Sequence, residues 1–133
     1  MRPVLYILMR DDMKSLNAGK GMAQASHATS AFMKRMSKSD ILDTDRALYN
    51  VWSTDTNQGF GTVIVKAGDI QQIDEAVRDI GDRWLRETVL DPTYPVRDGQ
   101  VTHLIPVVTC AYVFGDADDQ DLRIALAGLK LHP

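Results

Sequence analysis

The chain opens on Val4-Leu5-Tyr6-Ile7-Leu8-Met9, an unbroken apolar run that gives way to charge at Arg10. A run without polar alternation predicts a strand buried on both faces. A polar loop with Asn17 and Gly19 follows. Met22, Ala25, Thr29, Phe32, Met33 and Met36 then recur at spacings of three and four, which predicts an amphipathic helix over about 21–37 with this stripe toward the core. Residues 39–52 predict a weaker second helix capped by Ser39, and 53–61, rich in Thr, Asn and Gly, a loop. Thr62-Val63-Ile64-Val65-Lys66 is a β-branched strand. Ile70, Ile73, Val77 and Ile80 form a helical stripe, with Asp69 and Gln72 at capping-box spacing and Gly81 suited to the helix end. Thr88-Val89-Leu90 reads as a short strand. Residues 91–106, with three prolines and Asp98-Gly99, read as a long ordered loop or a pair of turns. A strand over 107–114 and a helix over 118–127, stopped by Gly128, complete the chain.

Strands alternating with helices imply an α/β fold, a largely parallel sheet covered on both faces, with the last two strands antiparallel because no helix joins them. The 133 residues suit one domain over 1–133. The longest apolar run, 104–114, is interrupted by Pro106, Thr109 and Cys110 and falls short of the roughly 20 residues that cross a membrane. The first nine residues read as a strand rather than a leader. Cys110 is the one cysteine, so no intrachain disulfide forms and a reducing cytoplasm is the natural compartment.

A net charge of −3 argues against a generic basic nucleic-acid binder. The distribution is uneven, however. Arg10, Lys14, Lys20, Lys34, Arg35 and Lys38 stand against Asp11 and Asp12 in one segment, while Asp116, Asp118, Asp119 and Asp121 crowd the other half.

At 100° per residue, Lys20, Gln24, His27, Ala31, Lys34 and Lys38 share one line along the first helix. This ridge is either an ordinary solvated face or an anion-binding edge, for a lysine near a helix N-terminus is unfavourable without an anion. Ligand crevices of α/β sheets lie at the carboxyl ends of parallel strands. Asp12 follows the first strand and Asp91 the third, so both converge with Lys20 and His27 if those strands are parallel. A carboxylate, a lysine and an imidazole could then activate water and stabilise an oxyanion. The alternative for Asp91-Pro92 is the start of a turn. Gly19-Lys20-Gly21 lacks the spacing of a phosphate loop, no serine elbow occurs, and His27, His103 and His132 have no partners at metal-ligand spacing. Trp52 and Trp84 are core or interface residues before they are base-stacking ones.

The string from Leu5 to Lys14, then Gly19-Lys20-Gly21-Met22-Ala23-Gln24-Ala25-Ser26-His27-Ala28, resembles the signature of the type 2 peptidyl-tRNA hydrolase family. Thr62–Lys66 is similar to the family's second strand, Asp91 to its aspartate at the end of the third, and Gly128-Leu129-Lys130-Leu131 to its ending. The likeness runs from about residue 4 to 131. It implies a single-domain three-layer sandwich, a four-stranded mixed β-sheet with helices on both faces, often assembled as a homodimer. It also implies hydrolysis of the ester between a peptide, or an N-blocked amino acid, and tRNA, without metal or cofactor. The residues it marks as catalytic are Lys20, His27, Asp91 and Asp12, the last orienting Lys20. Substrate contacts fall to Arg10, Lys14, Gln24, Lys34, Arg35, Lys38 and Thr93, with the cations on the acceptor stem and 3′ end. Two extra residues lie between Lys14 and Lys20. After Asp91, Pro92-Thr93-Tyr94-Pro95-Val96 replaces the family's Ala-Gly-Arg-Thr-Gln, so Thr93, Thr102 or Thr109 stands in for its threonine. Tyr94, Arg97 and His103 are candidate local replacements. A tRNA- or protein-binding module of the same fold without turnover is the alternative reading, and a hydrolase of another activated ester a third.

Overall fold

The opening apolar run becomes β1 (Pro3–Arg10) in the computed structural model, which describes residues 1–133. Val4, Tyr6 and Leu8 face one side of the sheet and Leu5, Ile7 and Met9 the other, all buried, which is why the run shows no alternation. β1 pairs in parallel with β2 (Val63–Gly68) and antiparallel with β4 (Val101–Asp116). β3 (Leu85–Asp98) pairs antiparallel with β4, so it runs in the direction of β1 as the ligand-crevice reasoning requires. A short β5 (Lys130–Leu131) adds to β2, giving the order β3-β4-β1-β2-β5. The sheet therefore has five strands rather than the expected four; two residues are too few to carry a strand pattern.

The helices divide between the faces. α1 (Ala18–Met36) and α2 (Asp43–Asp55) cover Leu5, Ile7 and Met9, while α3 (Ile70–Ile80) and α4 (Gln120–Leu126) cover Val4, Tyr6 and Leu8. No helix is long and apolar enough to cross a membrane. The capping box of α3 forms as its residues predict: Asp69 accepts from the Gln72 N–H at 2.8 Å and Gln72 accepts from the Asp69 N–H at 2.9 Å.

α1 starts at Ala18, four residues before its apolar stripe begins, because the Asn17 side chain accepts from the Lys20 N–H at 3.0 Å and caps it. Its buried row is Gln24, Ala28, Phe32 and Met36, rotated from the predicted stripe; Met22 is 73% exposed. The rotation follows from two preferences. Phe32 seats among Tyr49, Trp52, Tyr112 and Phe114, and Gln24 finds polar partners inside. α2 begins at Asp43, behind Leu42 and without a side-chain cap, so Ser39 is not its start. Trp52 at its far end donates to the Thr62 carbonyl at 2.8 Å. Its ring lies against Gly61, where φ is +80° and a Cβ would stand 2.3 Å from the indole, so only glycine fits.

The largest departure concerns 91–106. These residues form no loop: β3 and β4 continue beyond the sheet as a paired ribbon, Tyr94 opposite Ile105 through Asp98 opposite Val101, turning at Gly99 with φ +61°. Prolines disguise it. Pro92 falls in a register shift between Asp91 and Tyr94, and Pro95 lies on the edge strand, where a missing N–H is tolerated.

Candidate active site

Asp91 lies within β3, not after it, at that register shift. The irregularity turns its carboxylate toward α1. One oxygen accepts from Gln24 Nε2 at 2.7 Å and the other from the Thr93 backbone N–H at 2.9 Å. The Gln24 carbonyl oxygen in turn accepts from the Thr109 hydroxyl at 2.7 Å. Gln24 is 3% exposed and Thr109 fully buried, so the amide is held from both ends and its NH₂ can only serve the carboxylate. Gln24 donation first, then the Thr93 N–H, hold the Asp91 carboxyl below the usual carboxylate range, against a smaller opposing effect of desolvation. The charge of His27, one turn beyond Gln24 on α1, pulls the same way.

Lys20 sits one turn before Gln24. Its Nζ stands 5.3 Å from the centre of the Tyr94 ring, a cation–π contact. Tyr94 is fully buried, and its hydroxyl lies 2.9 Å from Ser15 Oγ. The two places where the sequence departs from the resembled signature, before Lys20 and after Asp91, are thus bonded to each other. Lys20, Gln24, His27, Asp91, Thr93 and Tyr94 form one constellation, half open to solvent, of a cation, an imidazole and a carboxylate whose free lone pairs can hold a water.

The chain matches the family described as Peptidyl-tRNA hydrolase PTH2 over residues 3–132. It belongs to that family. No curated protein sequence matches it.

In this member of the peptidyl-tRNA hydrolase family, Asp12 does not orient Lys20. It forms two bonds with Arg10, at 2.9 and 3.0 Å, and also accepts from the Ile70 N–H at 3.4 Å. Bonding to Arg10 lowers its pKa. Arg10 donates further to the Val108 carbonyl at 3.0 Å, so the pair ties the end of β1 to β4. Arg10 is thereby engaged, and Arg35 pairs at the surface with Asp40 at 2.8 Å. Lys14, Lys34 and Lys38 are exposed and make no ion pair, and the last two border a shallow groove of about 240 Å³ with Ala31, Arg35 and Glu87. Thr93 serves Asp91 through its backbone and exposes its side chain. His103 pairs with Asp98 on the ribbon at 3.6 Å and does not join the constellation. No three His, Cys, Asp or Glu side chains gather at metal-binding distance.

Thr109 enters as a bond partner of Gln24, not as a substrate contact. Its signal was in the sequence: Thr109 interrupts the apolar run 107–114, and a buried hydroxyl requires a partner. Cys110 is a buried core residue, its thiol pushed up to about 11 by burial.

Proposed function

We propose that the chain hydrolyses the ester joining a peptide, or an N-blocked amino acid, to the 3′ ribose of tRNA. The observation that carries this reading is the Asp91 carboxylate, fixed through both oxygens by Gln24 and the Thr93 N–H and within the field of His27, with Lys20 over the neighbouring Tyr94 ring. An activated ester needs a positioned water and a stabilised tetrahedral oxyanion rather than a strong nucleophile. A carboxylate of lowered pKa is a weak base, so Asp91 orients the water more than it strips it. Lys20 stabilises the oxyanion or a neighbouring phosphate, and His27 assists through a hydrogen bond. Gln24 acts by holding Asp91, and Asp12 by holding Arg10. Lys14, Lys34 and Lys38 meet RNA phosphates without reading sequence.

The test is release of labelled N-acetyl-aminoacyl-tRNA by the purified protein without added metal. The wild type releases it, Lys20→Ala does not, and raising the salt weakens tRNA binding steeply. A wild type that binds tRNA and releases nothing would make the chain a binding module instead.

Tyr94 offers a finer check. Tyr94→Phe keeps the ring beneath Lys20 and loses only the bond to Ser15, so kcat should stay within about threefold. Tyr94→Leu removes the ring's attraction for the ammonium and should lower kcat about tenfold, in line with a desolvated cation–π contact. Equal rates in the two variants, read with KM by steady-state kinetics, would remove the ring from the account.

A further inference from the structure

β3 carries Asp91 near its middle, and the surface changes character on either side of it. Before Asp91 on the strand, Glu87 borders the groove of Lys34 and Lys38. Beyond Asp91 the strand leaves the sheet and, with β4, forms the ribbon that turns at Gly99. Side chains on a ribbon alternate between its faces, and cross-strand partners share a face. Tyr94 is paired with Ile105, Val96 with His103 and Asp98 with Val101, so all of these stand on the face that meets Lys20. The Asp98–His103 contact at 3.6 Å runs diagonally across that face and agrees with the assignment. Arg97 and Leu104 stand on the opposite face by the same alternation.

The Lys20 face of the ribbon is apolar and open. Val101 is 56% exposed, Ile105 40% exposed and Val96 half-buried, with Tyr94 buried at the base. Its charges are those of Asp98 and its partner His103, so it presents an acid and no free cation to an RNA phosphate.

An ester held at Asp91 has two halves of different chemistry. The tRNA half is a polyanion and suits Lys34 and Lys38, on the Glu87 side of Asp91. The ribbon side is left for the acyl half, a peptide with an uncharged main chain and varied side chains. Covering apolar side chains with aliphatic ones is favourable in proportion to area and requires no fixed sequence. We propose that the face of Ile105, Val96 and Val101 binds the peptide portion of the substrate and favours apolar residues next to the esterified one. At about 3.5 Å per extended residue, the two residues before the ester come level with Ile105 and Val96. The choice of occupant rests on the hydrolase reading above.

The experiment compares release from N-acetyl-Leu-Leu-Gly-tRNA and N-acetyl-Asn-Asn-Gly-tRNA, two esters alike in size and charge. The leucyl ester should show a kcat/KM about tenfold higher, the scale of a small apolar contact. Ile105→Ser should bring that ratio to about threefold or below. Leu104→Ser, one residue away on the opposite face, should leave it near tenfold, so a general loosening of the ribbon is told apart from loss of the contact. Equal release of the two esters by the wild type would overturn the proposal and leave the hydrolase reading standing. So would a ratio that Ile105→Ser leaves unchanged, or that both variants lower alike. A wild type that releases neither ester would end the hydrolase reading instead. The methyl resonances of Ile105 then decide, as the two N-acetylated tripeptide amides are added to the full chain. A shift with the leucyl amide alone supports a peptide-binding face. No shift at millimolar concentration, or equal shifts with both amides, overturns it.

Discussion

Asp91→Asn should lower kcat for ester release by about 10²–10⁴-fold, the usual weight of a positioned acid–base group, while KM for the tRNA moves little. Asparagine keeps the size of the side chain and one acceptor, so either Gln24 or the Thr93 N–H remains bonded. Alanine would be a poorer probe, because it strands the buried Gln24 amide and mixes a folding penalty of about 1–3 kcal/mol into the rate. Binding should survive because the lysines proposed to meet phosphate, Lys14, Lys34 and Lys38, are not bonded to Asp91. The pH dependence has a definite sign. A carboxyl whose pKa is lowered on folding stays charged through neutrality, and its contribution is lost only as the pH falls through the lowered value. The ratio of wild-type to Asp91→Asn rates, from single-turnover release, should therefore stay constant between about pH 5 and 8. A ratio that shrinks near pH 6 would mean that Asp91 protonates there and acts as an acid, against the geometry.

How much of this was legible in the sequence varied with how local the cause was. β1, β2 and α3 follow from their own residues: an apolar run, a β-branched run and a capping box. The site's own residues were visible as well, because Lys20, Gln24, His27 and Asp91 fall on one helix line and one strand. Their bonding was not. Gln24 counted as part of a polar ridge, and only the buried Thr109 hydroxyl, brought from a distant strand, makes its burial affordable. Asp12 lay close enough in sequence to orient Lys20, yet Arg10, two residues away, takes it in a bidentate pair. The 91–106 ribbon was hidden because prolines mark turns far more often than edge strands, and the property that admits them here, an outer edge beside a register shift, is a feature of the sheet. The rotation of α1 has the same origin. Met22 and Phe32 are equivalent in a hydrophobic pattern, and the aromatic neighbours supplied by α2 and β4 decide between them.

Phe32 carries the largest expected effect on stability. It is fully buried, and four aromatic rings surround it: Phe114 at 4.7 Å between centroids, Trp52 at 5.5 Å and edge-on at 88°, Tyr112 at 5.6 Å, and Tyr49 at 6.0 Å. Phe32→Ala should cost about 3–5 kcal/mol, because the lost transfer energy is joined by a cavity that rigid rings on α2 and β4 cannot collapse to fill. That is a large part of the 5–15 kcal/mol typical of a domain. Phe32→Leu, which keeps most of the volume and forfeits the ring geometry, should cost much less. Urea unfolding at constant m would measure both. The substitution also reaches the site, since Phe32 and Gln24 lie on the same buried row of α1 and the ring fixes how that helix sits on the sheet. A folded fraction of Phe32→Ala at low temperature should therefore release ester more slowly per folded molecule than the wild type. A cost below about 1 kcal/mol would mean that the surrounding rings close over the gap, and α1 would then owe its seating to the Asn17 cap and the Gln24 network instead.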